Sequence, residues 1–338
     1  MEQAGCALLE NIVGRAAMLY NVFSQLGYYH NLIRRAKAFL SLNRPDLVVI
    51  CDSPAFHFHI AKAAKRLNIP ILFYVAPQLW AWAPWRIHKL RKCCDKLACI
   101  LPFEQEWFHS RGMDAEFVGN PLFDELDYPV EQNIKSYADY TPKRAKVALL
   151  PGSRKAEIET LWPAMQKIAL SIRQRYPDVR FYTAAPDMSK MVLLHKNRLS
   201  GFSCLEQIDD LMALCKQVDF ALVASGSATL QVAAAGCPMI VMYQSNRFLW
   251  HLIGKWLVCT PFLSLPNIVA GRRLVPEFMP YFTSIEPIAD EAIEYLSEPA
   301  RLKKVSWELI ETVKPLAGGK AVDKVAQMVL QMANVQSK

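Results

Sequence analysis

From Pro45 onward the apolar residues fall into short β-branched runs separated by amphipathic stretches, so that a strand period alternates with a helix period. DLVVICD (46–52) leads into a helical pattern to about Leu67, IPILFYV (69–75) into one near 84–93, and KLACIL (96–101) into one at 103–110, before AEFVG (115–119). A polar, Tyr-rich stretch at about 127–144 breaks this rhythm. It restarts with KVALL (146–150), a helix over about 156–175, VRFYTA (179–184), a helix near 206–215, VDFALVA (218–224), a helix over 228–235 and PMIVMY (238–243). Runs of this kind, joined through helices, predict parallel sheets covered on their faces. Over about 286–335, Ala, Val, Leu and Met recur at three- and four-residue spacing, which predicts helix. The expected organisation is one α/β domain over 1–143, a second over 144–310, and a C-terminal helical segment, 311–338, packing back on the first.

Length agrees with this division, because 338 residues exceed one ordinary core and supply two. The nine cysteines follow no regular framework and lie mostly in apolar runs, so they read as reduced, buried thiols. Cys93, Cys94 and Cys99 are close together, but no second Cys or His pair follows at zinc-ligand spacing, and no metal is expected. The net charge of +8 favours an anionic partner: nucleic acid, phospholipid headgroups or a phosphorylated substrate. No nucleic-acid-binding motif accompanies the charge, so nucleic acid is not an expected partner. Neither a membrane-spanning run nor a secretory signal is legible, which predicts a cytoplasmic protein.

Two strand-to-helix turns carry the chemistry. In LLPGSRKAEI a buried strand runs into Gly152, Ser153 and Arg154 before a helix opens. Small residues there let backbone N–H groups approach a ligand while an Arg fork neutralises phosphate; the alternative is a plain loop with an exposed Arg. In LVASGSATLQVAAAG the strand ends before Ser225, Gly226, Ser227 and Thr229, with Gln231 just inside the following helix and within reach of a ribose hydroxyl. This turn offers hydroxyls and N–H groups to an anion or sugar, although Ser225 or Ser227 also suits a helix N-cap. Two such turns in one domain suggest a nucleotide diphosphate. A polar-punctuated loop, FLSLPNIVAGRRLVPEF, adds Asn267, Arg272 and Glu277. In the first domain YVAPQLWAWAPWRIHKLRK brings Gln78, Trp80, Trp82 and Arg86 together, either for a sugar and lipid or as core aromatics beside a solvated helix face.

Taken in order, YVAPQLWAW, ILPFEQEWF, FVGNPLFDE, LLPGSRKAEI, SGSATLQ and SLPNIVAGRRLVPE resemble the lipid-A-disaccharide synthase family over nearly the whole chain. The resemblance implies a GT-B type α/β fold, two Rossmann-like domains facing a cleft. It implies inverting transfer of 2,3-diacylglucosamine from its UDP derivative to 2,3-diacylglucosamine 1-phosphate, giving the β-1,6 disaccharide precursor of lipid A and UDP, with no cofactor. Against the family pattern the opening MEQAGCALL lacks a first strand and its GEASGD-type loop, so the first domain is expected to be incomplete at its N-terminus and to expose a sheet edge. Where the family reads DAPDFN, this chain has Asp52, Ser53, Pro54, Ala55, Phe56 and His57, so Ala55 takes the position of a proposed catalytic Asp. Asp52 is the first candidate for the general base and His57 the second, each equally suited to a helix cap or a loop. Gln231 stands where a Glu is usual and Asn120 where a His is usual.

Two other classes of function stay open: another GT-B enzyme, such as the peptidoglycan precursor transferase or a UDP-sugar epimerase, and a silent UDP-sugar or lipid-binding protein. The expected partners are the UDP-diacylglucosamine donor, the acylated glucosamine phosphate acceptor and the cytoplasmic face of the inner membrane, with a homo-oligomer possible. Membrane contact is expected from about Ile12 to Phe39, where Met18, Leu19, Tyr20, Val22, Phe23, Leu26, Tyr28 and Tyr29 precede Arg34, Arg35 and Lys37. The other reading of that segment is a core helix with a basic end.

Overall fold

The computed structural model describes residues 4–10, 22–51, 54–124, 126, 129–208, 210–318 and 320–334. The chain divides into two compact units, one built from Met1–Trp80, Pro84–Val118 and Lys320–Lys338, the other from Ala81–Ala83 and Gly119–Gly319. The change from one unit to the next thus falls at Val118, well before residue 143. The Tyr-rich stretch belongs to the second unit because its side chains are used there: the Tyr137 hydroxyl donates to the Asp219 carbonyl at 2.6 Å and the Tyr140 hydroxyl to the Leu296 carbonyl at 2.7 Å.

The first unit holds a four-stranded parallel sheet, β1 (Val48–Cys51), β2 (Ile71–Tyr74), β3 (Lys96–Cys99) and β4 (Ala115–Phe117), in sequential order. Ile71, Leu72 and Phe73 are wholly buried because helices cover both faces of β2. On one side lie Phe58, Ala61 and Leu90; on the other, Ala321, Val325 and Met328 of the helix Ala321–Asn334 pack on Leu72, Ala98 and Val118. Among the described strands β1 and β4 lie at the two edges, and Val49 (44 % exposed) and Cys51 of β1 are exposed. The helix Val22–Asn43 buries Leu32 and Leu40, and Tyr29 meets the Phe56 ring edge-on at 5.9 Å. Of the expected membrane segment, Met18, Leu19 and Tyr20 and the side chains of Val22, Phe23 and Leu26 lie outside the described residues. Tyr28 and Tyr29 are half-buried, which fits the core reading at those two positions.

The second unit holds a six-stranded parallel sheet: β5 (Lys146–Leu150), β6 (Arg180–Ala185), β7 (Leu205–Ile208), β8 (Phe220–Ala224), β9 (Met239–Met242) and β10 (Glu277–Phe278). The order across it is β10-β9-β8-β5-β6-β7. β5, β8 and β9 are buried almost throughout, which is why all three read as continuous apolar runs. β7 corrects the sequence expectation of a helix opening at 206. Its LEQI lies at the sheet edge and is mostly exposed, so neither period marks it, and the helix begins later, at Leu211. Four cysteines depart from the expected burial: Cys6, Cys51 and Cys259 are exposed and Cys204 is half-buried, whereas Cys93, Cys94, Cys99, Cys215 and Cys237 are buried. Burial in apolar surroundings pushes the Cys94 and Cys237 thiols up to about 12, which keeps them protonated and inert.

Candidate functional site

In the second unit the chain leaves β5 toward β6 and β7 on one side, then returns to β8 on the other. Adjacent parallel strands whose connections run in opposite directions leave a crevice at their carboxyl ends, where α/β proteins bind ligands. A cavity of about 530 Å3 lies there. Leu150 pairs with Val223, so the turns after β5 and β8 emerge side by side. Gly152, Ser153, Arg154 and Glu157 line the cavity from the first turn, and Ser225, Gly226, Ser227 and Gln231 from the second.

The first turn is shaped by one carboxylate. Glu157, nearly buried, accepts from the backbone N–H of Arg154 at 3.2 Å and from Arg154 Nη1 at 2.7 Å. It thereby closes the first turn of the helix Lys155–Arg175 and takes one of the five N–H donors of an otherwise 65 % exposed Arg154 side chain. The ion pair offsets part of the positive field that Arg154 was expected to offer alone, while the donors Glu157 does not use keep the fork geometry that suits phosphate.

The second turn is held to the sheet by Ser225, whose N–H donates to the Met242 carbonyl at 2.9 Å. Ser227 stands at the N-cap of the helix Ala228–Ala234 in a helical conformation and forms no side-chain cap. The capping alternative for Ser227 is therefore not realised, and the residue lines the cavity. Thr229 is a correction: it is wholly buried, with its hydroxyl donating to the Gly226 carbonyl at 2.7 Å, so it shapes the turn from beneath.

Asn267, Arg272 and Glu277 also take other places, and none lines the cavity. The buried Asn267 accepts from the N–H groups of Leu274 and Val275 and donates to the Val275 carbonyl and to Glu277 Oε2. Glu277 accepts in addition from Leu263 and Ser264, and Arg272 pairs with Glu308 at 3.2 Å. A polar loop rich in such residues has the same composition whether it binds a ligand or folds on itself; here the second accounts for the pairings. Conversely, the sequence reading missed Ala185 at the end of β6, Pro186 just after it, and Asp210, Leu211 and Met212 before β8, all of which line the cavity. Asp210 caps the helix Leu211–Gln217 by accepting from Ala213 N–H at 2.8 Å. Position at a strand end was the available signal: the strand before Ala185 and Pro186 was legible, whereas the unrecognised β7 hid the place of Asp210 to Met212.

In the first unit Trp80 is buried, its indole N–H donating to Glu104 Oε1 at 2.9 Å and its ring edge-on to Phe103 at 4.9 Å. That fits the core alternative. Glu104 also accepts from the N–H groups of Ile100 and Leu101, and burial outweighs these three donors, so its carboxyl is pushed up to about 7. Gln78 and Trp82 are exposed, and the Arg86 guanidinium lies 5.7 Å over the Phe58 ring. Trp82 falls in the second unit, where it forms an antiparallel bridge with Val258. His57 is half-buried in the helix Pro54–Arg66, its ring 5.3 Å from that of Phe56, and Asp52 lies outside the described residues.

A family model described as lipid-A-disaccharide synthetase matches residues 1–332. The chain belongs to this family. Among named relatives, the lipid-A-disaccharide synthase of Geobacter metallireducens is 31 % identical over 334 residues, covering 96 % of this chain and 86 % of the relative. Lipid-A-disaccharide synthase 1 of Legionella pneumophila, strain Philadelphia 1, is 30 % identical over 329 residues, covering 95 % and 84 %. Among solved structures, the UDP-GlcNAc 2-epimerase of Neisseria meningitidis bound to UDP-GlcNAc superposes with a TM-score of 0.58 at 13 % identity, covering 90 % of this chain and 81 % of that one. Acinetobacter baumannii MurG gives 0.54 at 14 %, covering 95 % and 83 %. At such identities the likeness speaks for the fold alone, and the fold is the GT-B type that the lipid-A-disaccharide synthetase family resemblance implied.

Proposed function

We propose that this chain moves 2,3-diacylglucosamine from its UDP derivative to the 6-hydroxyl of 2,3-diacylglucosamine 1-phosphate, inverting the anomeric carbon and releasing UDP. The observation that carries the reading is the β5/β8 crevice, lined by two small-residue turns and an Arg in a chain of this family. Departing UDP gains negative charge as the glycosidic bond breaks. Arg154 and the hydroxyls of Ser153, Ser225 and Ser227 are the groups proposed to stabilise it, acting as donors already in place before the reaction. Gln231 is proposed for the ribose.

The acceptor hydroxyl must lose its proton as it attacks in line, so a base is needed beside it. Asp52 is the proposed base and His57 the second candidate, with Gln78 and Arg86 on the acceptor side. The acylated donor and acceptor place the reaction at a membrane surface, proposed as the cytoplasmic face of the inner membrane. No helix among the described residues is long and apolar enough to cross a membrane.

The test is disaccharide formation from the two acylated substrates, followed by mass spectrometry, beside calorimetry with UDP. Product and UDP binding together support the transferase. A second reading, a UDP-sugar-binding protein without turnover, rests on Ala55 at the position of the family's proposed catalytic Asp. UDP binding without product would favour it.

A further inference from the structure

The structure holds a second surface feature that the transferase site does not use. Residues 247–257 run as one helical stretch, Arg247–Leu249, a π-helical turn Trp250–Gly254, and Lys255–Leu257. Phe248, Leu252 and Trp256 are 73, 57 and 78 % exposed. Each follows the last by four residues, about one turn of such a helix, so the three share a side.

The stretch is held by other residues. Gly254 lies under Trp250, for a Cβ there would stand 2.5 Å from the indole ring. His251 Nε2 is 2.8 Å from the Tyr281 hydroxyl, and the Arg247 guanidinium lies 5.5 Å over the Tyr281 ring. Val258, directly after the helix, bridges to Trp82, itself 41 % exposed. An anchored helix thus presents apolar and aromatic side chains outward, with a further Trp beside its end.

Charge selects the occupant. The stretch itself holds two basic residues, Arg247 and Lys255, and the chain has no Asp or Glu from Phe220 to Pro276. Area argues against a second copy of the chain. A large aromatic side chain buries at most about 250 Å2, so three side chains fall short of the roughly 800 Å2 per partner of a stable protein interface. Trp and Phe beside basic residues on a short helix suit the headgroup level of a bilayer, where the apolar side enters and the cations meet phosphate.

We propose that the stretch 247–257 is a lipid contact, seating the nucleotide-binding unit on a bilayer that carries anionic headgroups. The proposal rests on the transferase reading for its biological setting, because a lipid product must reach and leave such a surface.

The experiment is vesicle sedimentation of the full chain with phosphatidylglycerol–phosphatidylethanolamine vesicles and with pure phosphatidylcholine vesicles. Wild type is expected to pellet with the first and much less with the second. Phe248→Ser with Trp256→Ser is expected to lower the pelleted fraction by about fivefold or more, since the apolar contribution to membrane binding is lost. UDP affinity by calorimetry, unchanged in the double variant, shows that the unit still folds. Should the variant not fold, wild type and Trp256→Phe are compared instead with brominated-acyl lipids. Strong quenching in wild type that falls in Trp256→Phe supports the contact; equal quenching overturns it. Equal pelleting of wild type and folded variant, or none by either, also overturns it. So does a dimer of wild type in sedimentation velocity that the double variant dissolves while vesicle binding stays the same, which would assign the stripe to a second copy. Disaccharide formation without vesicle binding would sink this proposal alone; vesicle binding without disaccharide formation would sink the transferase reading alone.

Discussion

Gly152 and Glu157 are matched across the turn after β5: a Cβ built on Gly152 would stand 2.5 Å from Glu157 Oε2, the oxygen that accepts from the Arg154 backbone. Gly152 also has φ +98°, a region that side chains avoid. The turn therefore exists in this shape only with glycine there and a carboxylate five residues on. Gly152→Ala is expected to cost about 1–3 kcal/mol in strain and to displace the Glu157 carboxylate. Thermal melting and UDP calorimetry check this; a variant with wild-type melting and UDP affinity would show that the turn relaxes freely.

Arg154→Ala is expected to weaken UDP binding by about 1.5–3 kcal/mol, the span of a charge-assisted hydrogen bond. Its melting point should move little, because the side chain is 65 % exposed and an exposed ion pair contributes little. Unchanged UDP affinity would remove Arg154 from the site.

For Asn267 the expected signs are reversed. Asn267→Ala leaves the N–H groups of Leu274 and Val275 without their acceptor in a buried loop, at a cost of about 1–3 kcal/mol for each group left unsatisfied. In the fraction that stays folded, UDP affinity should equal wild type. Loss of affinity at full stability would return Asn267 to the ligand site.

Glu104 makes stability depend on pH. Its carboxyl is raised from an ordinary 4.5 to about 7. The folded state therefore holds a proton that the unfolded chain has already released between these values. Its contribution is fully present below about pH 4.5 and is lost as pH rises through about 7, a change on the order of 3 kcal/mol. Glu104→Gln should flatten the pH profile of chemical denaturation over this window; an equally steep profile in the variant would assign the dependence to other groups.

Asp52→Asn is expected to lower kcat by about 10²–10⁴ with UDP affinity unchanged, the range for losing a general base. Retained turnover would move the role to His57, whose replacement by Ala is the matching assay.

The sequence alone determined the alternation of strand and helix, and with it two parallel sheets. Interior strands such as β5 and β8 are buried on both faces, so their apolar runs are unmistakable. It also determined the two turns around Gly152 and Ser225, because a small-residue break after such a run has few other meanings, and the ordered motifs that carry the family. Tertiary structure decided the rest. The edge strand β7, polar and exposed, has no period of its own and exists because β6 offers it unpaired backbone. Thr229 and Ser227, two residues apart on one turn, divide between the interior and the cavity: the buried Thr229 hydroxyl donates to the Gly226 carbonyl, whereas Ser227 forms no cap and lines the cavity. Asn267, Glu277 and Trp80 have ligand-binding composition, but their polar atoms are taken by partners 7 to 24 residues distant in the chain. A side chain's donors and acceptors are legible in sequence; which groups reach them first depends on the fold.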